Sequence, residues 1–325
     1  MKVFLTSAYE NCPTPDWLLA NDPLADNLFT NDPATADVII FAENHPPDDP
    51  YFRSVLNNKI YKTYKRKCVL YHDADRSITP LPTLSPSIEA WQFNPKHKRI
   101  AHYVARLCEN DTINKAAVDF SNDRKYLYNF IGARTHRIRT AIFRMKHPSD
   151  TYLKDTTGYH AWQMTEEQKR GYEIEYFAVM QNSFFVLTPR GVGPCTYRLF
   201  ETLQLGRVPV IISDSWLKVP NIDWEKFSIT IPESKISTIP SVLNDLKGEA
   251  VEMGRIARQY WEAHFSPKVS LRHLSAAAME LIDRKYTILD SLKDHSQFLK
   301  DGWHLRNLIR SKVKAFRQKS NRLRT

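Results

Sequence analysis

The residues best equipped for chemistry in this chain are the arginines and glycines gathered around position 190. Ser183 to Asp214 reads SFFVLTPRGVGPCTYRLFETLQLGRVPVIISD. An apolar run, Phe184 to Leu187, leads into a loop holding Pro189, Arg190, Gly191, Gly193 and Pro194. A helical stretch from Thr196 to Leu205 follows, stopped by Gly206, and a second apolar run covers Val208 to Ile212. Strand, loop, helix and strand in that order build a parallel sheet. The loop is suited to an anion: glycines let backbone amides approach, a helix N-terminus adds partial positive charge, and Arg190 and Arg198 add full charges. The pattern is neither a Walker loop nor a GxGxxG fingerprint, which weakens the NTPase and dinucleotide readings. Doubly wound proteins also carry such loops with no ligand, so the pattern alone leaves both readings open.

The elements that must position these residues follow from hydrophobic patterning. Lys2–Thr6, Asp37–Phe41, Lys67–Tyr71 and Tyr126–Ile131 read as buried parallel strands. Pro80–Ser87 reads as a loop and His97–Leu107 as a helix. Further helices are expected over Thr135–Met145, Glu166–Gln181, Ile236–Leu246, Glu249–His264 and Val269–Tyr286, with a break at Ser266-Pro267. Strands alternating with helices in both halves predict an α/β protein with two parallel sheets.

Composition bounds the class. The 325 residues suffice for two ordinary cores, and 42% hydrophobic content is that of a folded globular chain. No apolar run reaches 18 residues, so no transmembrane helix is expected, and Met1–Ala8 is too short for a secretory signal. Cys12, Cys68, Cys108 and Cys195 are scattered, without metal-ligand spacing, and read as free thiols. The net charge of +10 is uneven: residues 303–325 hold eight Lys and Arg and no acid, leaving +2 for the remainder. There, Leu305, Leu308, Ile309, Val313 and Phe316 recur at helical spacing between basic residues. A basic amphipathic helix on an anionic membrane surface is one reading and a solvated terminal helix the other. Nucleic acid is not expected as a partner, because the rest of the chain is nearly balanced in charge.

The signature stretch resembles the exostosin-like glycosyltransferases. The motifs carrying the resemblance are Ser183-Phe-Phe-Val-Leu-Thr-Pro189, Arg198-Leu-Phe200-Glu201 and Gly206-Arg-Val-Pro209-Val-Ile-Ile-Ser-Asp214. They continue with Ile222-Asp223-Trp224 and Phe227-Ser228. Upstream, Asn129-Phe-Ile-Gly132 with Arg134, Arg137 and Arg139 is similar to the family's Phe-x-Gly strand and basic loop. The resemblance spans about residues 120 to 240. It implies a GT-B fold, in which two Rossmann-like domains face a cleft and a C-terminal helix returns to the first domain. The expected units are 1–120 on the acceptor side, 121–265 for the nucleotide sugar, 266–302 crossing back, and the tail 303–325.

The resemblance further implies an inverting, metal-independent transfer from a nucleotide-diphosphate sugar, UDP favoured over GDP, to a glycan or lipid-linked acceptor. No cofactor is then required. Donor contacts are expected from Arg134, Arg139, Arg190, Gly191, Gly193, Thr196 and Arg198. Glu201 is expected on the ribose hydroxyls, with helix-dipole compensation as its alternative, and the Val208 and Pro209 backbone beside the base. The general base is expected from the first domain: Glu43, Asp73 or His45. Asp73-Ala74-Asp75 is also an Asp-x-Asp, the metal motif of the other large glycosyltransferase fold, but it lies in the acceptor half. Tyr159, His160 and Trp162 are candidates for a sugar platform or for core. A cytoplasmic enzyme peripheral to the inner face of the membrane is the expected setting. The alternative is a non-catalytic sugar-nucleotide-binding or scaffold subunit of a polysaccharide assembly complex.

Overall fold

A computed structural model of the chain describes residues 1–44, 49, 51–75, 79, 81–104, 111–159 and 164–284, with 287, 289–290, 292, 296, 299, 301–302, 304–306, 309–310 and 313 beyond them. His45, Cys108, His160, Trp162 and most of the basic tail lie outside the described residues.

The first sheet holds β1 (Val3–Thr6), β2 (Val38–Glu43), β3 (Cys68–His72), β4 (Thr83–Ser85) and β5 (Lys98–Ile100) in sequential order, every pairing parallel. Its central strands are buried on both faces, which explains their unbroken apolar runs. Along β2, Val38, Ile40 and Ala42 point into one core, while Ile39 and Phe41 point into the other.

The second sheet holds β6 (Tyr126–Gly132), β7 (Thr151–Asp155), β8 (Ser183–Pro189), β9 (Val208–Ile212) and β10 (Ile229–Thr230). Its order is β10-β9-β8-β6-β7, again all parallel. The chain steps outward from β6 to β7, then returns to the other side of β6 for β8. The β6/β8 boundary is therefore a topological switch point, where loops at the carboxyl ends diverge and leave a crevice.

Helices close the layers. In chain order, the ones that matter are α1 (Thr14–Asn21), α2 (Arg137–Arg144), α3 (Glu166–Gln181), α4 (Tyr197–Gln204), α5 (Ala250–His264) and α6 (Pro267–Ile282). A reciprocal capping box between Thr165 and Gln168 starts α3. Gly206 ends α4 with φ +62°, a left-handed geometry that glycine adopts without strain. Pro267 separates α5 from α6. Ala257 and Trp261 of α5 stay in the core beside the second sheet. Leu271, Leu274, Ala278 and Leu281 of α6 instead enter the first sheet's core with Val3, Val38 and Val69. Each leucine so buried contributes about 1.5–3 kcal/mol, enough to fix the return. Two parallel-sheet α/β units with a helix crossing back form the GT-B fold. No helix among the described residues is long and apolar enough to cross a membrane.

Two local expectations are corrected. The segment read as a helix from His97 begins instead with strand β5, and the loop read at Pro80–Ser87 contains strand β4. Pairing onto the sheet edge decides both. Lys98 is tolerated in a buried strand because its Nζ donates to the Gln92 carbonyl at 2.8 Å.

Candidate functional site

The carboxyl ends of the two sheets face each other. From the second sheet come the β6–α2 loop and the β8–α4 loop, which flank the switch point. From the first come the residues after β3, β4 and β5. Between them lies a cavity of about 190 Å³, walled by Asp73, Asp75 and Tyr103 on one side and Thr135, Arg139, Gly191, Val192, Cys195, Thr196 and Tyr197 on the other.

Arg139 organises the second-sheet wall. The His136 side chain caps α2 by accepting from the Ile138 amide, and one turn of helix then aims Arg139 back at both loops. Its Nε donates to the Arg190 carbonyl at 2.9 Å, Nη1 to Ala133 at 3.2 Å and Nη2 to Pro189 at 3.1 Å. Burial and the nearby Arg198 charge lower its pKa to about 10, so it remains a cation at neutral pH.

Gly191 and Gly193 prove to be sites of close approach. A Cβ on Gly191 would stand 3.0 Å from Arg139 Nη2 and 3.1 Å from Thr135 Oγ1. On Gly193 it would overlap Ser87 Oγ and the Asp75 carbonyl, so this glycine lets the loop press against the first domain.

Arg198, in the first turn of α4, is 4% exposed. Its Nη2 donates to the Ile131 carbonyl, and the guanidinium lies 5.0 Å from the Phe130 ring centroid and 5.8 Å from that of Tyr176. Nε and Nη1 have no partner among the described residues. Burial opposes its charge, but Tyr176, Tyr197, Tyr172 and Glu201 outweigh that and raise the pKa. Glu201 is itself buried and accepts the Tyr176 hydroxyl at 2.6 Å; both it and Arg198 lie just behind the cavity wall, beside Thr196 and Tyr197, which line it. Thr196 lines the cavity as the N-cap residue of α4 without spending its side chain on the cap.

Other expected donor residues are placed differently. Arg134 is paired with Asp155 at 2.6 Å. Arg190 crosses the cleft: its Nη2 meets Glu89 Oε1 at 2.5 Å, Nη1 meets Oε2 at 3.4 Å, and Nη1 also donates to Ser215 Oγ at 2.6 Å. Backbone bonding continues the contact, with Ala90 N donating to the Ser215 carbonyl and Trp216 Nε1 to that of Pro86. Val208 and Pro209 open β9 and so sit at the amino end of the sheet, opposite the cavity.

Among the first-domain candidates, Asp73 lines the cavity and is 7% exposed. Glu43 is fully buried at the end of β2, where Oε2 accepts from Ser7 Oγ at 2.5 Å and Oε1 from the Ala8 amide at 2.7 Å. Burial raises its pKa to about 7, the Ser7 and Ala8 bonds pulling weakly the other way. Asp75 is exposed at the cavity. Thr135, Tyr103, Tyr197 and Glu89 were missed by sequence reasoning. Only the clustering of basic residues after β6 pointed near Thr135, and nothing local marked the others. Tyr159 stands at 5.5 Å, centroid to centroid, from Tyr172 of α3.

Comparison with known proteins bears on this geometry. The family model for the exostosin GT47 domain matches residues 59–246, more than half of the chain. An exostosin-1 homolog of Caenorhabditis elegans is 33% identical over 187 residues, covering 52% of this chain and 48% of the relative. Human exostosin-2 is 34% identical over 117 residues, covering 35% of this chain and 16% of the relative. The chain thus spans about half or less of the length of these relatives. A crystal structure of Anabaena HepE with UDP-glucose aligns at TM-score 0.42 and 8% identity, over 84% of this chain and 98% of that one. A glycosyltransferase of Rickettsia africae aligns at TM-score 0.40 and 7% identity, over 87% and 98%. Those two likenesses are loose. The sequence match, extending well upstream of the basic loop and across both sheets, makes this chain a member of the exostosin GT47 glycosyltransferase family.

Proposed function

We propose that the chain is an inverting glycosyltransferase that takes a sugar from a nucleoside diphosphate, UDP ahead of GDP, and passes it to a glycan or glycolipid hydroxyl. The observation that carries this reading is Arg198 in the first turn of α4 at the switch point, whose buried Nε and Nη1 have no partner among the described residues, although the side chain itself stands just behind the cavity lining. Buried cationic donors without partners are costly unless a ligand completes them, and a diphosphate supplies the matching oxygens. Arg139 and Arg198 would take up the charge developing on the leaving diphosphate, so a metal is not required in this scheme. Thr196 and the Gly191 and Gly193 loop amides would bind the same oxygens. Arg134 and Arg190 would reach the donor only by leaving Asp155 and Glu89.

In the transfer, the acceptor oxygen forms a bond to the anomeric carbon as the carbon–diphosphate oxygen bond breaks. A first-domain base takes the hydroxyl proton. Position favours Asp73, which faces the cavity. The pKa of about 7 suits Glu43, but Ser7 and Ala8 close off its carboxylate. His45 belongs to the same set. A ribose contact for Glu201 requires Tyr176 to share or release that carboxylate. Peripheral membrane attachment through 303–325 is part of this reading, and sedimentation with phosphatidylglycerol vesicles before and after deletion of that segment tests it.

The decisive experiment is calorimetric titration with UDP, GDP and CMP, with and without a chelator, on the wild type, Arg198→Gln and Glu201→Gln. Chelator-independent UDP or GDP binding that Arg198→Gln abolishes, with the thermal midpoint kept, supports the reading. Nucleotide binding with no transfer of sugar by the wild type to any glycan or glycolipid acceptor would favour a non-catalytic sugar-nucleotide-binding subunit. No nucleotide binding at all sinks both.

A further inference from the structure

A second cavity, of about 430 Å³, adjoins the first and shares Thr135 and Val192 with it. Nothing in the donor scheme uses it. Its first-domain side carries Trp91, 43% exposed despite being one of the largest apolar side chains, together with Glu89. Its second-domain side carries His136 and Arg190, and Asp301 completes the rim.

We propose that this cavity is the acceptor site, and that it takes an uncharged sugar ring stacked on Trp91. The inference rests on the glycosyltransferase reading and adds to it the place and chemical class of the acceptor.

Three features carry the assignment. An indole left open at the wall of a cleft is a poor use of apolar surface unless something flat and partly apolar covers it, and a pyranose presents such a C–H face. The polar groups are of the kind that bind hydroxyls. Glu89 and Arg190 form a nearly buried pair, with side chains 15% and 12% exposed, that holds its geometry before any ligand arrives. His136 Nδ1 accepts the Ile138 amide, so its Nε2 carries the ring proton as a donor. Burial, with Arg190 beside it, lowers its pKa, keeping the ring neutral near pH 7.

The third feature is charge. The Arg190 cation is already matched by Glu89, and the rim residue Asp301 lies 3.5 Å from His304 Nε2. A sugar carboxylate would find no unmatched cation among the described residues that line this cavity, whereas a neutral ring needs none. The shared Thr135–Val192 edge brings an acceptor here against the donor cavity, as direct transfer requires.

The test is ligand-observed NMR titration of methyl glucoside, methyl galactoside, methyl N-acetylglucosaminide and methyl glucuronide, with UDP present and its own affinity measured in the same samples. A neutral glycoside should bind more tightly than the glucuronide. Trp91→Ala should weaken that binding roughly tenfold or more, with Trp91→Phe recovering part of it. UDP affinity and the thermal midpoint should stay at wild-type values in both variants. Glucuronide binding as tight as that of the neutral rings, glycoside binding indifferent to Trp91→Ala, or UDP binding with no glycoside binding would each overturn the proposal. Failure of UDP itself to bind would instead bring down the donor reading and this one with it.

Discussion

The two walls of the cleft are built in different ways. The second-sheet wall comes from two loops flanking one switch point, and a single side chain, Arg139, ties three of their carbonyls together. The first-domain wall comes from the ends of three strands, and its contributors are held by the opposite domain: Glu89 by Arg190, Pro86 by Trp216, Ala90 by Ser215. One wall is tied together mainly by bonds within its own domain. The other is tied by bonds across the cleft. A donor binding mainly to the first kind of wall binds a preorganised surface, while an acceptor on the second binds a surface that depends on domain closure.

The contrast can be broken at several points. Arg139→Leu should have the largest effect, because it removes the side-chain donor from the Pro189 and Arg190 carbonyls and one of the two donors to Ala133, which keeps the Thr135 amide. Stability should fall by about 3 kcal/mol or more, with loss of UDP binding, in thermal melts and calorimetry. Wild-type stability and binding in this variant would remove Arg139 as the organiser. Gly193→Ala comes next. Its methyl collides with Ser87 and the Asp75 backbone, so the domains should open, with a cost of about 1–3 kcal/mol and an increased radius of gyration in solution scattering. Gly191→Ala faces a looser fit and should leave the radius unchanged.

Glu89→Gln should cost about 1–3 kcal/mol by leaving Arg190 without its carboxylate. Turnover should then fall while UDP affinity holds, since the disturbance falls on the first-domain wall, where the acceptor is placed. Equal losses in both would mean that the walls are not independent. The smallest effect is on pH dependence. The folded-state pKa of Glu43, about 7, lies above its ordinary value of 4.5. The folded chain therefore binds more protons between those limits, and stability falls as pH rises through the window. Glu43→Gln should flatten that slope, by at most about 1.4 kcal/mol per pH unit, in urea melts run at pH 5 and pH 7.

Much of the scaffold was legible before the structure. The helix over Glu166–Gln181 and the strand over Val208–Ile212 fall where capping and apolar patterning place them. Strands β4, β5 and β7 were not, because they are short or carry charge, and pairing with a neighbour makes them strands. For the site, spacing revealed the loop and its arginines but not their partners. Arg190 reads as a phosphate ligand by sequence and is an interdomain ion pair in the fold.

The sequence by itself determined the α/β class, the basic loops at strand ends and the family to which they belong, since all of these live in local pattern and chain order. Only the tertiary structure decided which arginine is committed and which keeps donors unpaired among the described residues. It also decided that Gly193 serves domain contact, and that Trp91, Glu89 and Tyr103 stand at the cleft. Those outcomes depend on residues far apart in the chain being pressed together, and local sequence carries no record of a contact made across a hundred residues.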